Sequence, residues 1–107
     1  MPKLDTLKSF LTPGPERVGF ILKSGAIIEV QNVCEEPNEG FEIDTDDLEK
    51  HFDDIQATWH THPNATSNLS VGDLESFRNF PDWDHYIIGE DGVTRYVVEG
   101  SDVLISS

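Results

Sequence analysis

Cysteine, basic residues and long apolar runs are all scarce in this chain, and each scarcity closes off a class of protein. Cys34 is the only cysteine among 107 residues, so no internal disulfide can form and a disulfide-stapled scaffold is excluded. A chain of this length must then be held by one hydrophobic core, and it buries about 60–70% of the surface that it exposes when unfolded. Cys34 has no general base beside it in sequence and reads as a structural or surface thiol. A single thiol favours a reducing compartment.

Lysine and arginine together number 7, against 21 aspartates and glutamates, for a net charge of −14. Affinity for phosphate comes from Lys and Arg, so nucleic acid and anionic membrane surfaces are not expected partners. A basic protein partner is compatible with the charge, although a solvated acidic surface that maintains solubility explains it more simply. No apolar stretch approaches the roughly 20 residues needed to cross a bilayer. The beginning of the chain breaks up Leu4, Leu7, Phe10 and Leu11 with Lys3, Asp5 and Lys8, so it lacks the apolar segment of a secretion signal. The expected location is the cytoplasm, or the host cytoplasm for a virus-encoded version. On that expectation the sequons at Asn64 and Asn68 are coincidental.

What is present reads as one α/β domain over residues 1–107, with a mixed β-sheet and two to three helices packed on it. Leu4, Leu7, Phe10 and Leu11 recur at helical spacing before Pro13-Gly14-Pro15. Residues 17–23 and 26–33 are β-prone runs around Ser24-Gly25, a hairpin pattern, and Phe41-Glu42-Ile43 suggests a short strand. Asp44-Thr45-Asp46-Asp47 concentrates negative charge where a helix would begin, with Leu48 and Phe52 on its apolar side. Residues 55–61 form a third strand, ended by Pro63. A helix over residues 70–80 follows, with Leu74 and Phe77 inward. Residues 86–89 and 93–98 flank Glu90-Asp91-Gly92 as a second hairpin, and residues 102–105 add an edge strand.

The chemistry concentrates in Trp59-His60-Thr61-His62-Pro63 and Ser70-Val71-Gly72-Asp73. Alternate residues of a strand share a face, so His60 and His62 project side by side. Ile55, Ala57 and Trp59 mark the core side, and Gln56, Thr58, His60 and His62 the polar side. Two converging imidazoles are a natural start to a zinc site, and Asp73, early in the next helix, supplies a third ligand once the 63–69 loop folds back. Catalysis then needs an open position for water and a carboxylate that takes its proton without binding the metal. Each part also has a plain structural reading. Ser70-x-x-Asp73 is equally a capping box, and His51 and His85, with no partner spacing, are surface or packing residues.

Taken together, His60-Thr61-His62-Pro63 followed by Ser70-x-x-Asp73 resembles the JAMM (JAB1/MPN/Mov34) metalloprotease signature. Glu16-Arg17-Val18-Gly19-Phe20-Ile21-Leu22 is similar to the family's Glu-x-x-Gly first strand, and the likeness runs over residues 13–100. The resemblance implies a deaminase-like JAB1/MPN fold and one zinc ion per chain, held by His60, His62 and Asp73. It implies Glu16 as the general base and Ser70 as a donor to the tetrahedral oxyanion, a role worth about 3–4 kcal/mol where comparable donors are removed. The implied activity is hydrolysis of a peptide or isopeptide bond in an extended C-terminal tail, of a ubiquitin-like or a phage-tail protein. The short form is similar to prokaryotic and phage members, including JAB domains of tail-assembly proteins. The alternative is a non-catalytic binding or assembly module on the same fold. A nucleobase deaminase needs a Pro-Cys-x-x-Cys pattern that this chain lacks.

Overall fold

The structure is a computed structural model that describes residues 4–38 and 40–106. Among the described residues six strands build a single mixed sheet flanked by three α-helices: α1 (Leu4–Lys8), β1 (Val18–Leu22), β2 (Ile27–Val30), α2 (Thr45–His51), β3 (Ile55–Thr61), α3 (Val71–Arg78), β4 (Asp84–Gly89), β5 (Gly92–Glu99) and β6 (Asp102–Ser106). The strand order is β2-β1-β3-β4-β5-β6. All neighbours are antiparallel except β3 and β4, which run parallel with α3 as the crossover between them. No helix among the described residues is long and apolar enough to cross a membrane.

The central strands β1, β3 and β4 are buried on both faces because helices and the segments beside them cover both, while the edge strand β6 is largely exposed. On one face Leu7, Ile21, Ala57, Trp59, Tyr86 and Ile88 form a core, closed by Phe10 and Leu11 after α1. Trp59 anchors it: Phe10 stacks on its ring at 4.4 Å, and its Nε1–H donates to the Ile28 carbonyl at 3.2 Å. That indole lies over Gly19, where a Cβ would collide with both the ring and the Ile28 carbonyl, so the position requires glycine. On the other face α3 lays Phe77 against Ile87 and Tyr96.

Several expectations need correction. The first helix is one turn and a half, and Phe10 and Leu11 follow it as packed loop residues, with the chain turning toward Pro13. Phe41-Glu42-Ile43 makes no strand; only an isolated bridge joins Ile43 to Asn32. Asp44 does cap α2, accepting from the Asp46 N–H at 3.0 Å, but Phe52 lies beyond the helix in a 3₁₀ turn and is half exposed against Trp83. The face of β3 read as its polar side is largely covered: Thr58 and His60 are buried, and only Gln56 is exposed. The two hairpins and the edge strand β6 form as expected.

Candidate metal centre

The site assembles at the end of β3, where the chain leaves the sheet for α3. Val18 of β1 pairs with His60 of β3 in antiparallel register. Two residues further along each strand, the same register brings Glu16 opposite His62 on one face. The Arg17–Thr61 contacts hold that register past the end of the strand: the Thr61 N–H donates to the Arg17 carbonyl, and the Arg17 N–H donates to Thr61 Oγ1, each at 2.9 Å. An exposed bidentate pair from Arg17 to Glu29 steadies the strand start from outside.

His62 lies just past β3, and the following loop fixes its ring. Its Nδ1 is 2.9 Å from the Thr66 carbonyl, which can only accept, so Nδ1 carries the hydrogen. In neutral His62 the lone pair is therefore on Nε2, facing the cluster. The loop is pinned in turn: the Glu90 N–H donates to the Ala65 carbonyl, the Ser67 N–H to Asp91, and the Tyr96 hydroxyl to the Ser67 carbonyl. Gly89 permits this approach, because a Cβ there would strike the backbone of Thr66 and Ser67.

Asp73 reaches the cluster from the first turn of α3. Ser70 caps the helix, its Oγ accepting from the Asp73 N–H at 3.1 Å, while Asp73 Oδ2 accepts from the Ser70 N–H at 3.1 Å. The capping box thus forms in full, and it does not compete with the cluster. The same carboxylate places Oδ1 3.1 Å from His60 Nε2 and Oδ2 3.1 Å from His62 Nε2. Those two nitrogens are themselves 3.1 Å apart.

These spacings, which run to different oxygens of the one Asp73 carboxylate, are close to those of ligands around a small cation. Bonds of about 2.0–2.1 Å meeting near the tetrahedral angle separate neighbouring ligand atoms by about 3.3 Å. Glu16, His60 and His62 also each offer a ligand atom, all within 4.8 Å of one another, so a set including Glu16 has the spacing to hold a metal as well. The two sets differ in tightness. Asp73 touches both imidazoles, whereas Glu16 makes no hydrogen bond to either, so Asp73 completes the closer set and Glu16 stands at its edge. Two imidazoles and a carboxylate form a donor set that takes zinc and several other divalent ions.

The electrostatics follow from burial. Burial pushes the Glu16 carboxyl up to about 7, opposed by His62 and reinforced by Asp73. Burial would raise Asp73 too, but hydrogen bonds from His60 and His62 hold it well below the usual carboxylate range. His60 is lowered by its complete burial, with Asp73 opposing. In His62 burial is outweighed by the bonds to Asp73 and the Thr66 carbonyl, and its pKa rises. His60 Nδ1 is buried with no hydrogen-bond partner, so packing orients that ring, with Phe41 at 4.3 Å and Phe77 at 6.1 Å between centroids.

A cavity of about 380 Å³ opens beside the cluster, with Glu16, Ser70, Asp73, Phe41 and Ser76 on its walls. Cys34, expected as a surface or structural thiol, is a free, partly buried cysteine on the same wall. The residues named from sequence therefore converge. Those that sequence reading missed are the supports: the Thr66 carbonyl, Phe41 and Gly89. Main-chain carbonyls leave no trace in a sequence, and Phe41 stood in a segment read as a strand.

No family model matches the chain, and none of the curated proteins matches it. Among solved structures it is similar to the solution structure of protein DSY2949 from Desulfitobacterium hafniense, with a TM-score of 0.73 at 13% identity over 96% of this chain and 84% of that one. At that identity the likeness concerns the fold alone.

Proposed function

We propose that the chain is a zinc-dependent peptidase or isopeptidase with a JAMM-type site on a deaminase-like JAB1/MPN fold. The observation that carries the reading is the triangle of His60 Nε2, His62 Nε2 and the Asp73 carboxylate with 3.1 Å edges, set beside a buried glutamate in an open cavity. His60, His62 and Asp73 are the zinc ligands, one ion per chain. When bound, zinc supplies the Lewis acid that acidifies water and polarises a carbonyl.

The remaining steps belong to the protein. Glu16, buried at the edge of the ligand set, takes the proton of the attacking water and returns it to the leaving amine. Ser70 uses its Oγ lone pair for the helix cap, which leaves its hydroxyl hydrogen free to donate to the oxyanion from the cavity wall. The substrate is the C-terminal tail of a ubiquitin-like or phage-tail protein in extended form, and the site of action is the cytoplasm.

The complete capping box favours a second reading, because it gives Ser70 and Asp73 a structural role that needs no catalysis. In that reading the fold is a binding or assembly module. Metal analysis of the purified protein, followed by hydrolysis of tagged C-terminal tails by the wild type and Glu16→Gln, separates the two. One zinc per chain with cleavage that the variant loses supports the hydrolase. Metal-free protein that binds a partner without cleaving it supports the module.

A further inference from the structure

A second cavity, of about 150 Å³, lies between α2 and α3 on the same face of the sheet as the metal cluster. Ile43, Leu48, Phe80 and Trp83 wall it together with the exposed Glu42, and Thr58 and His85 form its floor. Phe41 and Ser76 line both this cavity and the one beside Glu16 and Asp73, so the two spaces share a wall.

The polar atoms of the floor are already engaged. His85 Nε2 is 3.0 Å from the Phe80 carbonyl and therefore carries the hydrogen, which leaves Nδ1 to accept from the Thr58 hydroxyl at 2.7 Å. An occupant meets mainly aromatic and aliphatic surface there, with Glu42 on the exposed side and no unpaired donor or acceptor from the floor. A cavity of this volume with mainly apolar walls accommodates a benzene-sized ring. Leucine and phenylalanine side chains are of that size.

Its place along α3 sets its distance from the chemistry. At about 1.5 Å of rise per residue, Ser76 stands about 4.5 Å and the end of α3 at Arg78 about 7.5 Å along the helix from Asp73, with Phe80 two residues beyond that end. An extended peptide advances about 3.3–3.6 Å per residue. A chain whose carbonyl reached the cluster would pass the second cavity within about three residues.

We propose that this cavity is a specificity pocket, taking a leucine- or phenylalanine-sized side chain of an extended peptide substrate one to three residues from the scissile bond. The inference rests on the hydrolase reading above, and it assigns an apolar residue to a substrate for which only an extended tail had been inferred.

The test has two arms. In the first, metal-free ¹⁵N-labelled protein is titrated with N-acetyl-leucinamide and N-acetyl-alaninamide. Saturable shifts of the Trp83 indole and the Leu48, Ser76 and Phe80 amides with the leucine compound alone are expected. Filling the space with Leu48→Phe, or with Ile43→Phe should the first variant fold poorly, abolishes them. In the second, zinc-loaded protein cleaves peptides varied over three residues on each side of the scissile bond. Leu or Phe exceeds Ala at one position by at least about tenfold in kcat/KM, and Leu48→Phe removes that preference alone. An absent leucinamide response, or one confined to other surfaces, overturns the pocket, and so does cleavage with no apolar preference. Saturable binding without any cleavage supports the pocket and removes the hydrolase reading.

Discussion

His60 and His62 bring their Nε2 atoms to 3.1 Å from each other while His62 commits its Nδ1–H to the Thr66 carbonyl. One ring N–H between the two nitrogens, or one shared with Asp73, accounts for that approach, and a divalent cation held by the same groups would replace it with a tetrahedral demand.

Metal content checks this directly. Wild-type protein is expected to retain about one zinc per chain through gel filtration, and His60→Ala and Asp73→Asn to retain well under half of that, by elemental analysis. Chelation lowers Tm, because an ion bound only to the folded state stabilises it by about 4 kcal/mol at a free concentration a thousandfold above Kd. An unchanged Tm on chelation would argue that the cluster holds no metal.

Glu16 stands outside the tight triangle, so its removal should separate binding from chemistry. Glu16→Gln is expected to keep the zinc of the wild type and to lose about 10²–10⁴-fold in kcat. Loss of zinc together with activity would instead make Glu16 a ligand.

Ser70 has two roles that substitutions can part. Ser70→Ala loses the cap, at a cost of about 1 kcal/mol, and Ser70→Gly only a few tenths. Both remove the hydroxyl, so kcat should fall about 10²–10³-fold in both while Tm falls mainly in the alanine variant. Activity that tracks Tm across the pair would leave Ser70 as a cap alone.

The loop behind His62 depends on Gly89, where any side chain meets the Thr66 and Ser67 backbone. Gly89→Ala is expected to lower both Tm and zinc affinity, because displacing the loop withdraws the Thr66 carbonyl from His62. Gly19→Ala, under Trp59 on the opposite face, should lower Tm by several degrees with zinc affinity per folded molecule unchanged. Equilibrium dialysis and thermal melts distinguish the two.

His85 sets a pH dependence away from the cluster. Burial lowers its pKa to about 4, opposed by its bond to the Phe80 carbonyl and reinforced by His60. The unfolded chain takes up this proton near pH 6.5 and the folded protein only near 4. Stability from His85 is thus present above 6.5 and lost on acidification toward 4, by up to about 3 kcal/mol. Glu16, raised to about 7, acts in the opposite sense, its contribution being lost as pH rises from 4.5 to 7. The difference between wild type and His85→Gln isolates the histidine: the variant's denaturation midpoint should fall less than that of the wild type between pH 6.5 and 4. Parallel curves would mean that His85 protonates without cost.

Much of the fold was legible because its signals are local. Alternating apolar residues, Ser24-Gly25 and Glu90-Asp91-Gly92 specify hairpins whose partners lie a few residues apart, and Asp44 and Ser70 mark helix starts through bonds within one turn. Phe41-Glu42-Ile43 misled because its composition suits a strand, while the residues near it offer no ladder beyond one bridge. Phe52 misled because its helix ended one residue earlier, turning its ring toward Trp83.

By itself the sequence determined which side chains make up the candidate centre and how far apart they stand along the chain: two imidazoles two residues apart, a serine and a carboxylate three apart, a lone glutamate far upstream. Spacing within a strand or a helical turn is a property of the backbone, so those pairings needed no tertiary knowledge. Only the folded sheet decided that Glu16 comes level with His62, since that follows from the pairing of Val18 with His60, which stand 42 positions apart along the chain. It alone covered the His60 face and fixed the His62 tautomer through a main-chain carbonyl. Contacts between distant segments, and atoms common to every residue, are what a linear pattern does not record.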